Sequence, residues 1–404
     1  MTAAWLLCSR HDVTLFDGNS YLGGHTHTHS LEADGQRWMV DSGFIVFNDK
    51  TYPNFRKLLH SLDVKARPTS MSFSVKSESD NLEYNGTSIN ALFAQRRNFF
   101  RPKFWRMIKG ILAFNNECKQ LLTTEPSDET LGSFLARKKF PQELASFYIK
   151  PMTAAVWSCG TSTVLDMPIH FLARFFENHG FLNIDDRPQW FTVLGGSQVY
   201  AQKIAARLGS AVHLDSKVES VIRQPSGVQL TTKNGLQQMF DQVIFACHSD
   251  EALAALSDAT EAEKSILGDI PYGINHLAIH KDISLMPKRR LAWAAWNYNL
   301  FSDKSDDVAV TYNMNILQGL SCPTQFLVSL NCEKHIDPSL IIKRLTYSHP
   351  IYTTRTVAAQ ARHAHISGVN RTHYCGAYWG NGFHEDGVVS ALRVVTRIDP
   401  EARL

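Results

Sequence analysis

The 404-residue chain has no CxxC pair and no marked excess of either charge. It also has no apolar run near the roughly 18 to 20 residues that a spanning helix needs. Its seven cysteines (Cys8, Cys118, Cys159, Cys247, Cys322, Cys332 and Cys375) are odd in number and widely spaced, which excludes a dense disulfide framework and suits a reducing compartment. With 41 basic against 38 acidic side chains the net charge is +3, so no field of the whole molecule demands nucleic acid. The first residues lack the basic-then-apolar layout of a secretory leader. A cytoplasmic, globular protein is expected, and 44% hydrophobic content over this length suits two domains.

A further absence bears on function. Thr2 to Ser9 reads as a helix, Arg10-His11-Asp12 as a turn, and Val13 to Phe16 as an apolar strand closed by Asp17. This is the second half of a dinucleotide-binding βαβ unit, in which the terminal acid accepts hydrogen bonds from an adenosine ribose. The Gly-rich phosphate loop precedes such an acid by roughly 20 residues, which places it at or before Met1, and no GxGxxG stands at a strand-to-helix junction elsewhere. The chain is therefore expected to start just after that loop, as from a misplaced start codon or a truncated gene.

Gln36 to Phe47 reads as two strands around a turn at Asp41-Ser42-Gly43. From Thr51 to Asn183 the pattern is mostly helical, with Phe55, Leu58, Leu59 and Leu62 on one face and Phe171, Leu172, Phe175 and Phe176 on another. A helix over Gln198 to Leu208 leads to strands at Val212 to Leu214, Val218 to Arg223, Val228 to Thr232 and Gln242 to Ala246. Further strand-like runs occupy Leu277 to His280, Ala309 to Met314 and Gln325 to Leu330. Near the end, a short strand passes through a turn holding Gly376, Gly380 and Gly382 into a helix expected to begin near Asp386. Those glycines and Gly387 permit close backbone approach to a ligand; the plain alternative is a Gly-rich connection with Asp386 as N-cap. The expected fold is α/β. A Rossmann-like domain truncated at its first strand (1–50, 185–254, 366–404) interleaves with an α+β substrate domain (51–184, 255–365).

Together "VTLFD…YLGGHTHT", "VDSGFIVFN…TYPNF", "RPQWFTVLGGSQVY" and "YWGNGFHEDGVVSAL" resemble the flavin-dependent amine oxidoreductase superfamily, which includes phytoene desaturases and protoporphyrinogen oxidases. The closer resemblance is to FAD/NAD-binding proteins encoded beside cyclopropane-fatty-acid synthases, and it runs from residue 2 to 398. It implies FAD as cofactor, with Asp17 on the ribose, Gly23-Gly24 as the double glycine after the second strand, and His25 reaching the phosphates or ribityl chain. It further implies that Gly43 and Phe44 pass the flavin ring, that the Val218 backbone pairs with adenine, and that Ala246-Cys247 forms the loop after the last strand beside the meander. Gly376 would meet the ribityl-phosphate portion, and Gly387-Val388 would form a helix start over the flavin pyrimidine. Ala377 departs from the pattern by replacing a carboxylate.

The activity so implied is removal of a hydride from a small apolar substrate, fatty-acyl or isoprenoid-like. The alternatives are a truncated, non-catalytic remnant that binds flavin weakly or not at all, and an amine oxidase. No catalytic base is identified; Trp379, His384 and Glu385 are nearest by motif position.

His25, His27 and His29 share one strand face and admit Zn²⁺ in principle, but no Cys or carboxylate falls at a matching spacing, so no metal is expected. "RRNFFRPKFWRMIK" (Arg96 to Lys109) holds six basic residues, four aromatics and no acid. It reads either as a peripheral membrane-surface contact or as a solvated helix face over a buried aromatic stripe. Cys159, Cys247 and Cys375 are expected as inert buried thiols, the last two despite neighbouring His248 and His373. Trp293, Trp296, Tyr298 and Trp379 suit a pocket wall or core packing equally. Oligomeric state is not readable.

Overall fold

The computed structural model describes residues 1–183, 187–302 and 308–404; the expected domain boundary at 184–185 lies outside the described residues. Seven strands make the largest sheet, in the order Ile341–Pro350, Tyr272–His280, Leu327–Leu330, Val310–Asn313, Trp296–Leu300, Phe73–Ser77, Leu82–Asn85. Alternation gives its faces opposite characters. Leu277, Tyr298, Val310, Tyr312, Val328 and Leu330 enter one large core that includes Met107, Ala154 and Phe176 from the helices Pro102–Leu121, Lys150–Trp157 and Ile169–Asn178. The opposite face buries polar groups that bond one another: Thr311 Oγ1 lies 2.7 Å from Ser329 Oγ, which lies 2.8 Å from His280 Nε2.

The helical reading of 51–183 is right for Pro53–Ser61 and for most of 89–178, but not for 66–85. Three short strands stand there: Ala66–Thr69, Phe73–Ser77 and Leu82–Asn85. Phe73–Ser77 pairs with Trp296–Leu300, and Ala66–Thr69 with Trp190–Val193. Their partners come from far along the chain, so tertiary pairing rather than local pattern makes them strands.

The remaining elements gather around two parallel pairs. Leu15–Phe16 pairs with Val212–His213, and Val243–Phe245 with Thr372–Tyr374. Among the described residues, Leu15–Phe16 and Thr372–Tyr374 each have strand partners on one side only. The expected strand from Val13 is therefore reduced to two residues. An antiparallel meander of Val218–Gln224, Gly227–Thr232 and Gln237–Phe240 stands beside them; its third strand, QQMF, has too little alternation to be foreseen. The first helix is Thr2–Leu7 and the last is His384–Ile398. The latter begins two residues before Asp386, whose Oδ2 accepts the Phe383 N–H at 3.0 Å. Asp386 is thus the third residue of the helix, reaching back to its start, and not the N-cap.

Candidate functional site

A cavity of about 1990 Å³ begins between the two parallel pairs and reaches the apolar face of the seven-stranded sheet. Asp17, Gly23, Gly24, His25, Gly43, Phe44, Val218 and Gly376 all line it, as do Ala246 and Cys247. Gly387 and Val388 do not. They lie in the second turn of the final helix, where the Gly387 N–H is already donated to the Phe383 carbonyl at 3.1 Å and Val388 is buried. The first-turn N–H groups belong instead to His384, Glu385 and Asp386.

The two loops at the centre of the wall are held by backbone contact. Phe44 N donates to His25 O at 2.8 Å, and a Cβ on Gly43 would stand 2.1 Å from that same carbonyl. Gly24 answers a different need: space around it is open, but φ is +58°, a conformation that L side chains rarely adopt. At the cavity's outer end, Asp17 Oδ1 accepts the N–H and the side-chain amide of Asn19 at 2.9 and 3.2 Å. Burial pushes the Asp17 carboxyl above its usual range.

The three histidines of the opening motif have separate environments. His25 packs beside Tyr347, His349 and His248, with ring centroids 4.7, 5.1 and 6.1 Å away. Burial, then the neighbouring His349, His248 and His384, hold it well below the usual imidazole range, so it is neutral. Its Nε2 is buried and has no partner among the described residues. His27 stacks on Tyr21 at 3.9 Å. A chain of hydrogen bonds runs from Lys343 Nζ to His29 Nδ1 (3.3 Å), then from His29 Nε2 to Ser42 Oγ (2.8 Å). It continues to the Tyr347 hydroxyl (2.8 Å) and His27 Nδ1 (3.0 Å). Burial pushes His27 down to about 4 and His29 to about 3. These two rings tie the loop to the strand Ile341–Pro350. Among the described residues no group of three or more His, Cys, Asp or Glu is arranged to hold a metal ion.

Of the three candidates for a base, only His384 lines the cavity. Its ring stacks on Phe44 at 3.6 Å, and its Nε2 lies 2.9 Å from the Tyr200 hydroxyl and 3.1 Å from Thr26 Oγ1. Burial pushes it down to about 3, so it stays neutral and positions Phe44. The Glu385 carboxylate accepts the N–H groups of Asn54 and Phe55 at 3.1 and 2.8 Å, capping the helix Pro53–Ser61. Trp379 is buried against His363 at 4.5 Å.

Asp41 is a residue that sequence reasoning passed over except as a turn. It is wholly buried and accepts Thr28 Oγ1 (2.5 Å), Ser197 N and Oγ (3.0 and 2.9 Å) and Gln318 Nε2 (2.9 Å). Burial pushes its carboxyl up to about 6 despite these bonds. Tyr347 and His349 were also missed, since a strand some three hundred residues downstream delivers them. Of the aromatic candidates only Trp296 lines the cavity; Tyr298 is in the core, and Trp293 lies under Arg290. Cys159 and Cys375 are buried, and burial pushes the Cys375 thiol up to about 11. Cys247 departs from expectation, being exposed at the cavity wall.

These residues fit an elongated dinucleotide. The unpartnered His25 Nε2, the open space over Gly24 and the Asp17 carboxylate all stand on the wall of this one cavity. Solved structures share the fold. A CLA-producing fatty acid isomerase from P. acnes is 15% identical with a TM-score of 0.70, covering 98% of this chain and 96% of that one. Cyclohexylamine oxidase from Brevibacterium oxydans IH-35A is 14% identical with a TM-score of 0.69, over 99% and 96%. Putrescine oxidase bound to putrescine is 14% identical with a TM-score of 0.66, over 99% and 96%. No curated protein matches the chain by sequence. The family model for flavin containing amine oxidoreductases matches residues 1–266, which fall on both the cofactor-side elements and part of the substrate side. The chain therefore belongs to the flavin containing amine oxidoreductase family and is an FAD-dependent oxidoreductase.

Proposed function

We propose that the protein removes a hydride from a small apolar substrate of fatty-acyl or isoprenoid-like character. FAD supplies the electron-accepting chemistry when bound. The observation that carries the reading is the inner end of the cavity, walled by Met71, Val156, Phe181, Leu277, Trp296 and Leu330. The acids among the described lining residues are Asp12, Asp17, Glu219, Asp241, Asp250 and Glu251, all from the opposite, cofactor-side elements. A cationic amine entering the inner chamber would lose its hydration with no carboxylate to balance it, which weighs against amine oxidation. An acyl or isoprenoid chain loses no hydrogen bonds there and gains from leaving water. Trp296 Nε1, buried and without a partner among the described residues, offers one donor to an oxygen at the end of such a chain. Phe44, stacked on His384, lines the same cavity. The fatty acid isomerase fold-relative acts on a chain of this class, which accords with the reading.

The test is anaerobic mixing of FAD-loaded protein with oleic acid, geranylgeraniol or putrescine while the flavin absorbance is followed. Bleaching by an apolar compound and not by putrescine is expected. Bleaching by putrescine alone would favour the amine reading, and protein that takes up no FAD would favour an inert remnant.

A further inference from the structure

Away from the cavity, two segments far apart in sequence converge on one surface. The first runs from the helix Ile89–Leu92 through the turn Arg96–Phe100 to Trp105; the second is Lys288 to Leu291. Asn85 Nδ2 donates to Trp293 O at 2.8 Å and Lys288 N to Glu83 Oε1 at 2.8 Å, which fixes them side by side. The surface is apolar at its tips. Phe100 is 82% exposed, Ile89 79%, Phe99 55% and Leu291 43%, values unusual for such side chains. The tips are anchored rather than frayed: Trp105 Nε1 donates to Phe99 O at 2.7 Å, and the rings of Phe93, Phe99, Phe100 and Trp105 meet at 5.4 to 5.8 Å.

Around the tips stand Arg96, Arg97, Arg101, Lys103, Arg106, Lys288, Arg289 and Arg290. The acids that reach them are Asp80 near Arg101, Glu83 on Arg289 and Glu143 on Arg106. Arg96 and Arg97 spend their guanidinium bonds on the Phe93 and Asn81 carbonyls and the Asn90 amide, with no carboxylate paired to either among the described residues. Arg290 lies over the Trp293 ring at 4.6 Å.

We propose that this face docks the protein on a bilayer rich in anionic lipid, with the apolar tips entering the headgroup layer and the basic ring meeting phosphates. Aliphatic Ile89 and Leu291 gain nothing against a nucleic-acid backbone. A second copy apposed by a two-fold axis would set this basic ring against itself. A negatively charged, apolar-centred surface answers both features, and the proposal does not depend on the substrate.

The test is co-sedimentation of the full chain with vesicles of equal phosphatidylglycerol and phosphatidylcholine, and with phosphatidylcholine alone. Binding to the first, weaker binding to the second, and weakening by salt are expected. The double variant I89S/F100S should bind roughly tenfold more weakly or worse, and R97E/K103E should lose the preference for the anionic vesicles, both with unchanged circular dichroism and melting. No sedimentation with anionic vesicles would overturn the proposal, as would undiminished binding by I89S/F100S. So would a dimer that I89S/F100S converts to monomer without change in vesicle binding, or retention on a single-stranded oligonucleotide but not on vesicles.

Discussion

The two walls of the cavity are built in opposite ways. On the substrate side a continuous seven-stranded sheet packs one face against helices in a large core, while Thr311, Ser329 and His280 bond one another on its other face. On the cofactor side the parallel strands stand as two separate pairs, packed into three smaller apolar clusters and tied also by charged and polar groups such as Arg223–Glu263–Tyr374. Apolar packing holds the first wall whatever the cavity contains, whereas the second gains stability from what binds it. Stability should therefore be insensitive to FAD in one region and responsive in the other.

The largest effects should expose that difference. Glu263 is buried between Arg223 (2.7 Å) and the Tyr374 hydroxyl (2.6 Å); burial raises its pKa, but these bonds outweigh it and hold the carboxyl at about 2. Emptying the wholly buried Phe176 site by Phe176→Ala should cost about 3–5 kcal/mol. Glu263→Gln leaves Arg223 paired with Asp258 at 2.8 Å, so a loss of about 1–3 kcal/mol is expected. Denaturant melts with and without FAD distinguish the walls, since FAD should recover part of the Glu263→Gln loss in local hydrogen exchange at 372–374 and none of the Phe176→Ala loss at 327–330. Gly43→Ala, of similar size, forces a Cβ onto the His25 carbonyl. A loss of about 1–3 kcal/mol is expected, with FAD affinity falling alongside it in a fluorescence titration.

Acidification should follow. Burial holds His349, His179 and His280 at about 4 and His384 at about 3, below the usual 6.5. Lowered folded pKa values give stability that is full above 6.5 and lost as pH falls toward 4, with each histidine contributing a slope of about 1.4 kcal/mol per pH unit. Asp41 and Asp386, raised to about 6 by burial, act in the opposite sense, adding stability as pH falls from about 6 toward 3.8. Those histidines, with His27, His29 and His373 lowered in the same way, outweigh the two carboxyls, so melting temperature should drop from pH 6.5 downward. The smallest effect is expected for Glu385→Ala, which uncaps Pro53–Ser61 at a cost of about 1 kcal/mol and should leave the bound flavin spectrum unchanged.

How much of this was legible in the sequence follows from how local each cause is. Asp17 stands out as the acid closing a short apolar strand, and Gly23-Gly24 enter through the family resemblance; the structure places all three on the cavity wall. The last helix, expected near Asp386, starts two residues earlier, at His384, because Asp386 reaches back from the third position instead of capping it. Gly387-Val388, the helix start that the resemblance implies, lies one turn further in. The strands within 66–85 and the role of Asp41 were hidden because their partners, Trp296–Leu300, Ser197 and Gln318, come from distant chain. His27 and His29 looked like ligands because their hydrogen-bond partners, Tyr347 and Lys343, cannot be seen from the motif.

The central claim is that one cavity seats FAD at one end and an apolar chain at the other. Val156→Trp, which fills the inner chamber from the helix Lys150–Trp157, tests it directly when anaerobic bleaching by oleic acid or geranylgeraniol is compared with the unaltered protein. The account predicts unchanged FAD uptake with bleaching abolished. Bleaching retained at the original rate, with FAD bound as before, would contradict it.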